Sequence, residues 1–136
     1  MNPTLLCIDD QPELLQVRKA ILESSAFHVE TVTSAHAAIK MLEETSVDAV
    51  LLEYKQQGID AEAVAYQIHQ RFPDIPIILL SAYFEMPERI LWLVDAYVIK
   101  SELPDGLVRA IERVRRPADT DPARQTSARS KRKPAA

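Results

Sequence analysis

The sequence predicts a doubly wound α/β domain: a five-stranded parallel sheet, (βα)5, with helices on both faces. Three observations carry this. Short runs of four or five mostly apolar residues recur along the chain, as in TLLCI and PIILL. The greasiest of them are apolar at nearly every position, which is the mark of strands buried on both faces. Between them lie stretches with apolar residues at helical spacing, several opened or closed by proline.

The elements follow in order. Residues 4–8 (TLLCI) read as a buried strand that stops at Asp9 and Asp10. Pro12 then stands where a helix favours its first residue. Leu14, Val17, Ile21 and Leu22 recur at helical spacing through about Ser24, and are expected to face inward. Residues 28–32 form the second strand. Ser34 caps a helix whose Ala35, Ala38, Ile39 and Leu42 share one face.

Residues 49–52 form the third strand, which runs into Glu53. Gly58 punctuates the next loop. A helix is expected over 60–71, with Val64, Ile68 and Phe72 inward and Pro73 as its stop. Residues 76–80 (PIILL) form the fourth strand, ending at Ser81. Pro87 opens a helix expected to reach about Val94, with Trp92 read as core. Residues 97–99 form the fifth strand, ending at Lys100. Pro104 starts a last helix striped by Leu107, Val108, Ile111 and Val114, and Pro117 closes it.

Composition bounds the rest. The chain has 136 residues, of which 47% are apolar, enough for one domain with a core. Cys7 is its single cysteine, so no internal disulfide forms, which fits a reducing cytoplasmic setting. No apolar run is long enough to span a membrane, and MNPTLLCIDDQ does not read as a secretory signal. Residues 1–114 hold 18 acidic and 9 basic side chains, a net −9, whereas residues 115–136 hold 2 and 7, a net +5. That last stretch lacks large apolar residues and cannot offset the entropy of ordering. The expected division is therefore a domain over 1–116 and a disordered basic tail over 117–136.

Open parallel sheets build their sites at the carboxyl ends of the strands. The residues there are Asp9, Asp10, Glu53, Ser81 and Lys100. Any one of these alone reads as an ordinary cap, turn or surface residue. One at each of four strand ends points to a shared pocket. Crowded carboxylates repel, so such a pocket favours a divalent or otherwise cationic partner, and an all-oxygen site suits magnesium. Cys7 reads as a buried, inert thiol. His28, His36 and His69 are scattered without metal spacing.

The chain resembles the receiver domain of bacterial response regulators, the phosphoaspartate switch of two-component signalling. The resemblance rests on LLCIDDQPELLQVRKAILE, VDAVLLEY, IPIILLSAY and DAYVIKS, in this order, and covers about residues 3–116. It implies the flavodoxin-like receiver fold. It implies that Asp9 and Asp10 are the metal-binding acid pair, completed by Glu53 and the backbone carbonyl of Lys55. It places Glu53 at the phosphoacceptor position. Ser81 is then the hydroxyl that follows the phosphoryl group, Tyr97 the aromatic that changes rotamer with it, and Lys100 the cation that contacts it.

Three departures from the family pattern stand out. Glu53 replaces an aspartate. Gln56 and Gln57 stand where a Met-Pro pair is common. Ser101 follows Lys100 where the family places a cis proline, and a non-proline cis bond costs ~2.5–4 kcal/mol. A trans bond and a reshaped loop are expected there. The extra methylene of Glu53 carries its oxygens deeper into a pocket shaped for aspartate, and a small misplacement of reacting atoms costs about a hundredfold in rate. Glu53 instead offers one negative charge towards Lys100 and Ser81, where a phosphoryl group would offer roughly two.

The function expected is a stand-alone, atypical receiver module in phosphorelay signalling. It is phosphorylation-independent or altered, binds Mg²⁺ weakly at most, and is not an enzyme. A sensor histidine kinase or downstream effector is the expected protein partner, docking on the region from Met86 to Val114, which would also serve a dimer. Two alternatives stand beside it: a conventional receiver phosphorylated on Glu53, and a magnesium-dependent phosphohydrolase. The latter class spaces its two aspartates one residue apart, whereas Asp9 and Asp10 are adjacent. No membrane contact is expected. Nucleic acid is expected only nonspecifically, through Arg129, Lys131, Arg132 and Lys133 of the tail.

Overall fold

The structure is a computed structural model and describes residues 2–55, 57–82 and 86–114. The five apolar runs become β1 (Thr4–Ile8), β2 (His28–Val32), β3 (Ala49–Glu53), β4 (Ile77–Ser81) and β5 (Ala96–Ile99). They form one parallel sheet in the order β2-β1-β3-β4-β5. The chain winds outward from β1 to β2, then crosses back to β3. The order therefore reverses at β1 and β3, and their carboxyl ends border the crevice.

Alternation along the strands divides the core in two. Leu6, Ile8, Val50, Leu52, Ile77 and Leu79 face one side and join one cluster. Leu5, Cys7, Ala49, Leu51, Ile78 and Leu80 face the other. The first side is covered by α2 (Ala35–Glu44), α3 (Ala61–Arg71) and the short α4 (Glu88–Leu91), through Ala38, Leu42, Val64, Ala65, Ile68 and Ile90. The second is covered by α1 (Pro12–Glu23) and α5 (Asp105–Val114), through Leu15, Leu22, Leu107, Ala110 and Ile111. Each fully buried Leu or Ile contributes roughly 1.5–3 kcal/mol.

Caps set the helix starts. Ser34 Oγ accepts the Ala37 N–H at 3.1 Å, and Asp60 Oδ1 accepts the Ala63 N–H at 3.1 Å. Pro12 opens α1 as expected. Arg89 of α4 holds Glu62 of α3 through both carboxylate oxygens, at 2.8 and 2.7 Å.

Several expectations are corrected. In α1 the inward stripe is Leu15, Arg18 and Leu22. Leu14, Val17 and Ile21 are exposed, at 38, 59 and 38%. The helix is rotated by about one residue from the expected stripe, because Arg18 turns inward to acids at the sheet edge. The helix opened by Pro87 keeps only Glu88–Leu91, and Trp92, its C-cap, is exposed. One turn presents too little surface to bury both Ile90 and the indole, and Ile90 takes the core place. Beyond Lys100 the chain forms a 3-10 turn, Lys100–Glu102, closed by the Ile99 N–H donating to Glu102 Oε1 at 3.0 Å. The Lys100–Ser101 bond is trans, as expected, and a cis peptide occurs at Leu103–Pro104. The expected tail, 117–136, lies outside the described residues, as does Gln56.

Candidate functional site

The register of β1 against β3 prepares the site. Cys7 pairs with Leu51 and Ile8 with Leu52, so the next step along both strands sets Asp9 beside Glu53. Both carboxylates are withdrawn from solvent, Asp9 at 1% exposure and Glu53 at 2%. Both share the strand parity of Cys7 and Leu51, the face covered by α1 and α5.

Arg18 meets them there. Its Nη1 lies 3.3 Å from Asp9 Oδ2 and its Nη2 lies 3.7 Å from Glu53 Oε1. Side chains on a helix lean towards its N-terminus. The N-terminus of α1 follows directly on the acid pair, so a long side chain one face-turn inward reaches back to the strand ends. Arg18 is itself only 9% exposed. Sequence reasoning missed it. The available signal was its spacing from Leu15 and Leu22, three and four residues away, which puts it on one face with them.

Lys100, at the end of β5, sets its Nζ 2.7 Å from Glu53 Oε1. Glu53 thus has two cations near one oxygen. Burial nonetheless pushes its carboxyl above the usual range, outweighing the opposing pull of Lys100 and Arg18.

Asp10 is arranged differently. Its Oδ2 accepts the backbone N–H groups of Gln57 and Gly58 at 2.8 and 2.7 Å. The Gly58 N–H above all, then that of Gln57, holds its carboxyl below the usual range. Its Oδ1 is buried and lacks a hydrogen-bond partner among the described residues. Asp9 Oδ1 accepts the Gln11 N–H at 3.0 Å, which ties the acid pair to the entry of α1.

The other expected residues fall as follows. Ser81 ends β4 and is fully buried. It stands one residue beyond Leu80, the β4 partner of Glu53. Tyr97 pairs with Leu79 and packs on the α2–α4 side, its hydroxyl buried without a hydrogen-bond partner among the described residues. Burial, and then Glu102, raises its phenol above the ordinary value. Lys55 lies exposed two residues past the end of β3.

The carboxylates of Asp9, Asp10 and Glu53 are hard oxygen donors of the kind Mg²⁺ takes. In kind, then, they fit such an ion. Asp9 and Glu53, however, are closed around Arg18 while Asp10 turns to the Gln57 and Gly58 N–H groups, and among the described residues no three acidic, His or Cys side chains gather as a metal-holding group.

A parallel sheet in 2-1-3-4-5 order, with an acid pair after β1, an acid ending β3 and a lysine after β5, defines a class of small signalling switch domains. The chain belongs to that class: it matches the response regulator receiver domain family over residues 5–112, and receiver domains work in two-component signalling. Among curated proteins it is 26% identical over 118 residues to the transcriptional regulatory protein BaeR of Escherichia coli O6:H1, covering 85% of this chain and 49% of that protein. It is 27% identical over 117 residues to PrrA of Mycobacterium leprae, covering 84% and 49%. The chain thus spans about half the length of these relatives. Among solved structures it is similar to the response regulator TrrA of Thermotoga maritima, determined in complex with Mg²⁺-BeF. The TM-score is 0.75 and the identity 28%, over 82% of this chain and 98% of that one. TrrA in complex with the histidine kinase ThkA also matches, with TM-score 0.75 and 27% identity, over 82% and 97%. Among the described residues no helix is long and apolar enough to cross a membrane.

Proposed function

We propose that this receiver works as an altered signalling module whose pocket is not thrown in the ordinary way by an acyl phosphate at position 53. The observation that carries this reading is the ion pair at 2.7 Å between Glu53 and Lys100. A carboxylate already seated on the lysine supplies part of the negative charge that a phosphoryl group brings. Glu53 then acts as a standing, partial imitation of the modified state, and output passes through protein–protein contact.

The partner we assign is a histidine kinase or a downstream effector, in line with the kinase complex of the related TrrA. Between Met86 and Val114, Leu91 and Trp92 are exposed and offer apolar contact. Leu103, Pro104 and Leu107 add one wall of a groove of about 240 Å³, whose other wall is the exposed Leu14, Val17 and Ile21 of α1. The docking region we assign therefore extends beyond Met86–Val114 to include α1.

Treatment with acetyl phosphate and Mg²⁺ tests the reading. A carboxylate oxygen would attack phosphorus, acetate would leave, and intact mass would rise by one phosphoryl group. The wild type is expected to stay unmodified, whereas Glu53→Asp, one methylene shorter, becomes phosphorylated. Equal phosphorylation of both at position 53 would make glutamate a conventional acceptor and end the proposal.

A further inference from the structure

Arg18 occupies a position that helical geometry assigns to the core, between Leu15 and Leu22 on the buried stripe of α1. A guanidinium is costly to withdraw from water and persists there only with close anionic partners. Arg18 finds two, Asp9 at 3.3 Å and Glu53 at 3.7 Å, both more deeply buried than itself. Those two oxygens belong to separate strand ends, and Arg18 reaches both of them from α1. Lys100 approaches Glu53 from the far side, at the end of β5. Around the pocket, Asp9, Asp10 and Glu53 bring three negative charges and Arg18 and Lys100 bring two positive ones. One negative charge is left uncompensated, so the pocket attracts a divalent cation less than three free carboxylates would.

We propose that Arg18 is the resident cation of this pocket, holding the acids in a metal-independent, ion-paired state that a divalent ion enters only by displacing it. This rests on reading the pocket as a receiver's cation site, and it goes beyond that reading. It makes Arg18 a positioning residue: it fixes Asp9 and Glu53 without taking part in any transfer. It also makes the Glu53–Lys100 pair independent of Mg²⁺, because the charge that would otherwise repel Glu53 from Asp9 is already neutralised. A side chain of similar length without charge, Met or Gln, would leave the acids seeking another cation. A divalent ion in reach of Asp9, Asp10 and Glu53 would then meet only Lys100 and no longer the guanidinium as well, which removes one of the two repulsions acting at a buried site of low effective dielectric.

The test is cation affinity of the full chain, read as free Mn²⁺ by electron paramagnetic resonance and as Mg²⁺ heat by calorimetry. Wild type, Arg18→Met, Arg18→Gln and Arg18→Lys are compared, with Asp10→Asn as the variant that removes a donor. Wild type and Arg18→Lys are expected to bind weakly, and the two neutral variants at least about tenfold more tightly. Added Mg²⁺ should raise the melting temperature of the neutral variants and leave that of the wild type nearly unchanged. Should Arg18→Met fail to fold, Arg18→Gln carries the comparison, and folding of either one on addition of Mg²⁺ also supports the proposal. Equal affinities across wild type and neutral variants would overturn it, as would wild-type binding in the micromolar range with the Arg18 Nε–H resonance unmoved. Neither result depends on whether position 53 can be phosphorylated, so the two proposals fail separately.

Discussion

Lys100 Nζ lies 2.7 Å from Glu53 Oε1, so the end of β5 is tied to the end of β3 across the intervening β4. The two partners are unequal in setting. Glu53 is buried, whereas Lys100 keeps 35% of its side chain exposed. Removing the lysine should therefore cost more than a surface ion pair and less than a fully buried one.

Lys100→Met is expected to destabilise the domain by about 1–2 kcal/mol, a charged hydrogen bond discounted for solvent screening at the lysine. Denaturant unfolding of Lys100→Met, Glu53→Gln and the double variant forms a double-mutant cycle. A coupling energy indistinguishable from zero would show that the pair does not hold the two strand ends together.

Two carboxyls in the pocket should give opposite pH dependences. Glu53 is raised above 4.5 by burial, so its proton is held more tightly in the folded state. Its stabilising effect is full below pH 4.5 and is lost as pH rises through the folded value. Glu53→Gln should thus melt higher than wild type at pH 7, with the difference closing below pH 4.5. Asp10 is lowered from 3.8, chiefly by the Gly58 N–H, so its contribution is present above pH 3.8 and lost as pH falls through the folded value. Asp10→Asn should melt lower than wild type at pH 7, and the gap should narrow in strong acid. Melting curves from pH 3 to 8 check both signs.

Cys7 lies within β1 at zero exposure, and burial pushes its thiol up to about 12. Thiolate is the reactive form. The folded protein should not react with an aromatic disulfide reagent at pH 8, and the thiol should appear only with the unfolding transition. Rapid labelling under native conditions would mean that β1 opens locally.

Ala26, in the turn from α1 to β2, has φ of 69°, a left-handed conformation that costs an L-residue with a Cβ roughly 1–2 kcal/mol. Ala26→Gly should recover part of this, about 0.5–1 kcal/mol after the greater flexibility of glycine in the unfolded chain is counted. Chemical denaturation at constant slope would read the gain.

The strands and their ends were legible in the sequence because each is a local signal. TLLCI, AVLL and PIILL are too uniformly apolar for any place but the inside of a two-sided sheet, and the charged or hydroxyl residue that follows marks the edge where the sheet meets solvent. The caps Ser34 and Asp60 are local in the same sense, since each bonds the backbone three residues on. The orientation of α1 was not local. Leu14, Val17 and Ile21 make a better apolar stripe than Leu15, Arg18 and Leu22, and periodicity favours the first. Only the folded sheet puts Asp9 and Glu53, 44 residues apart in the chain, on the same face and within reach of one guanidinium. The observed face buries Leu15 and Leu22 together with an Arg18 whose charge is met by two buried carboxylates, and leaves Leu14, Val17 and Ile21 exposed. Likewise Trp92 reads as core by its chemistry, but α4 is a single turn, and Ile90 takes the one place it can cover. The sequence by itself determined the strand runs, the helix starts and the acids at the sheet edge. Tertiary structure decided which cation those acids face, because that depends on charges brought together across the sheet and leaves no periodic trace along the chain.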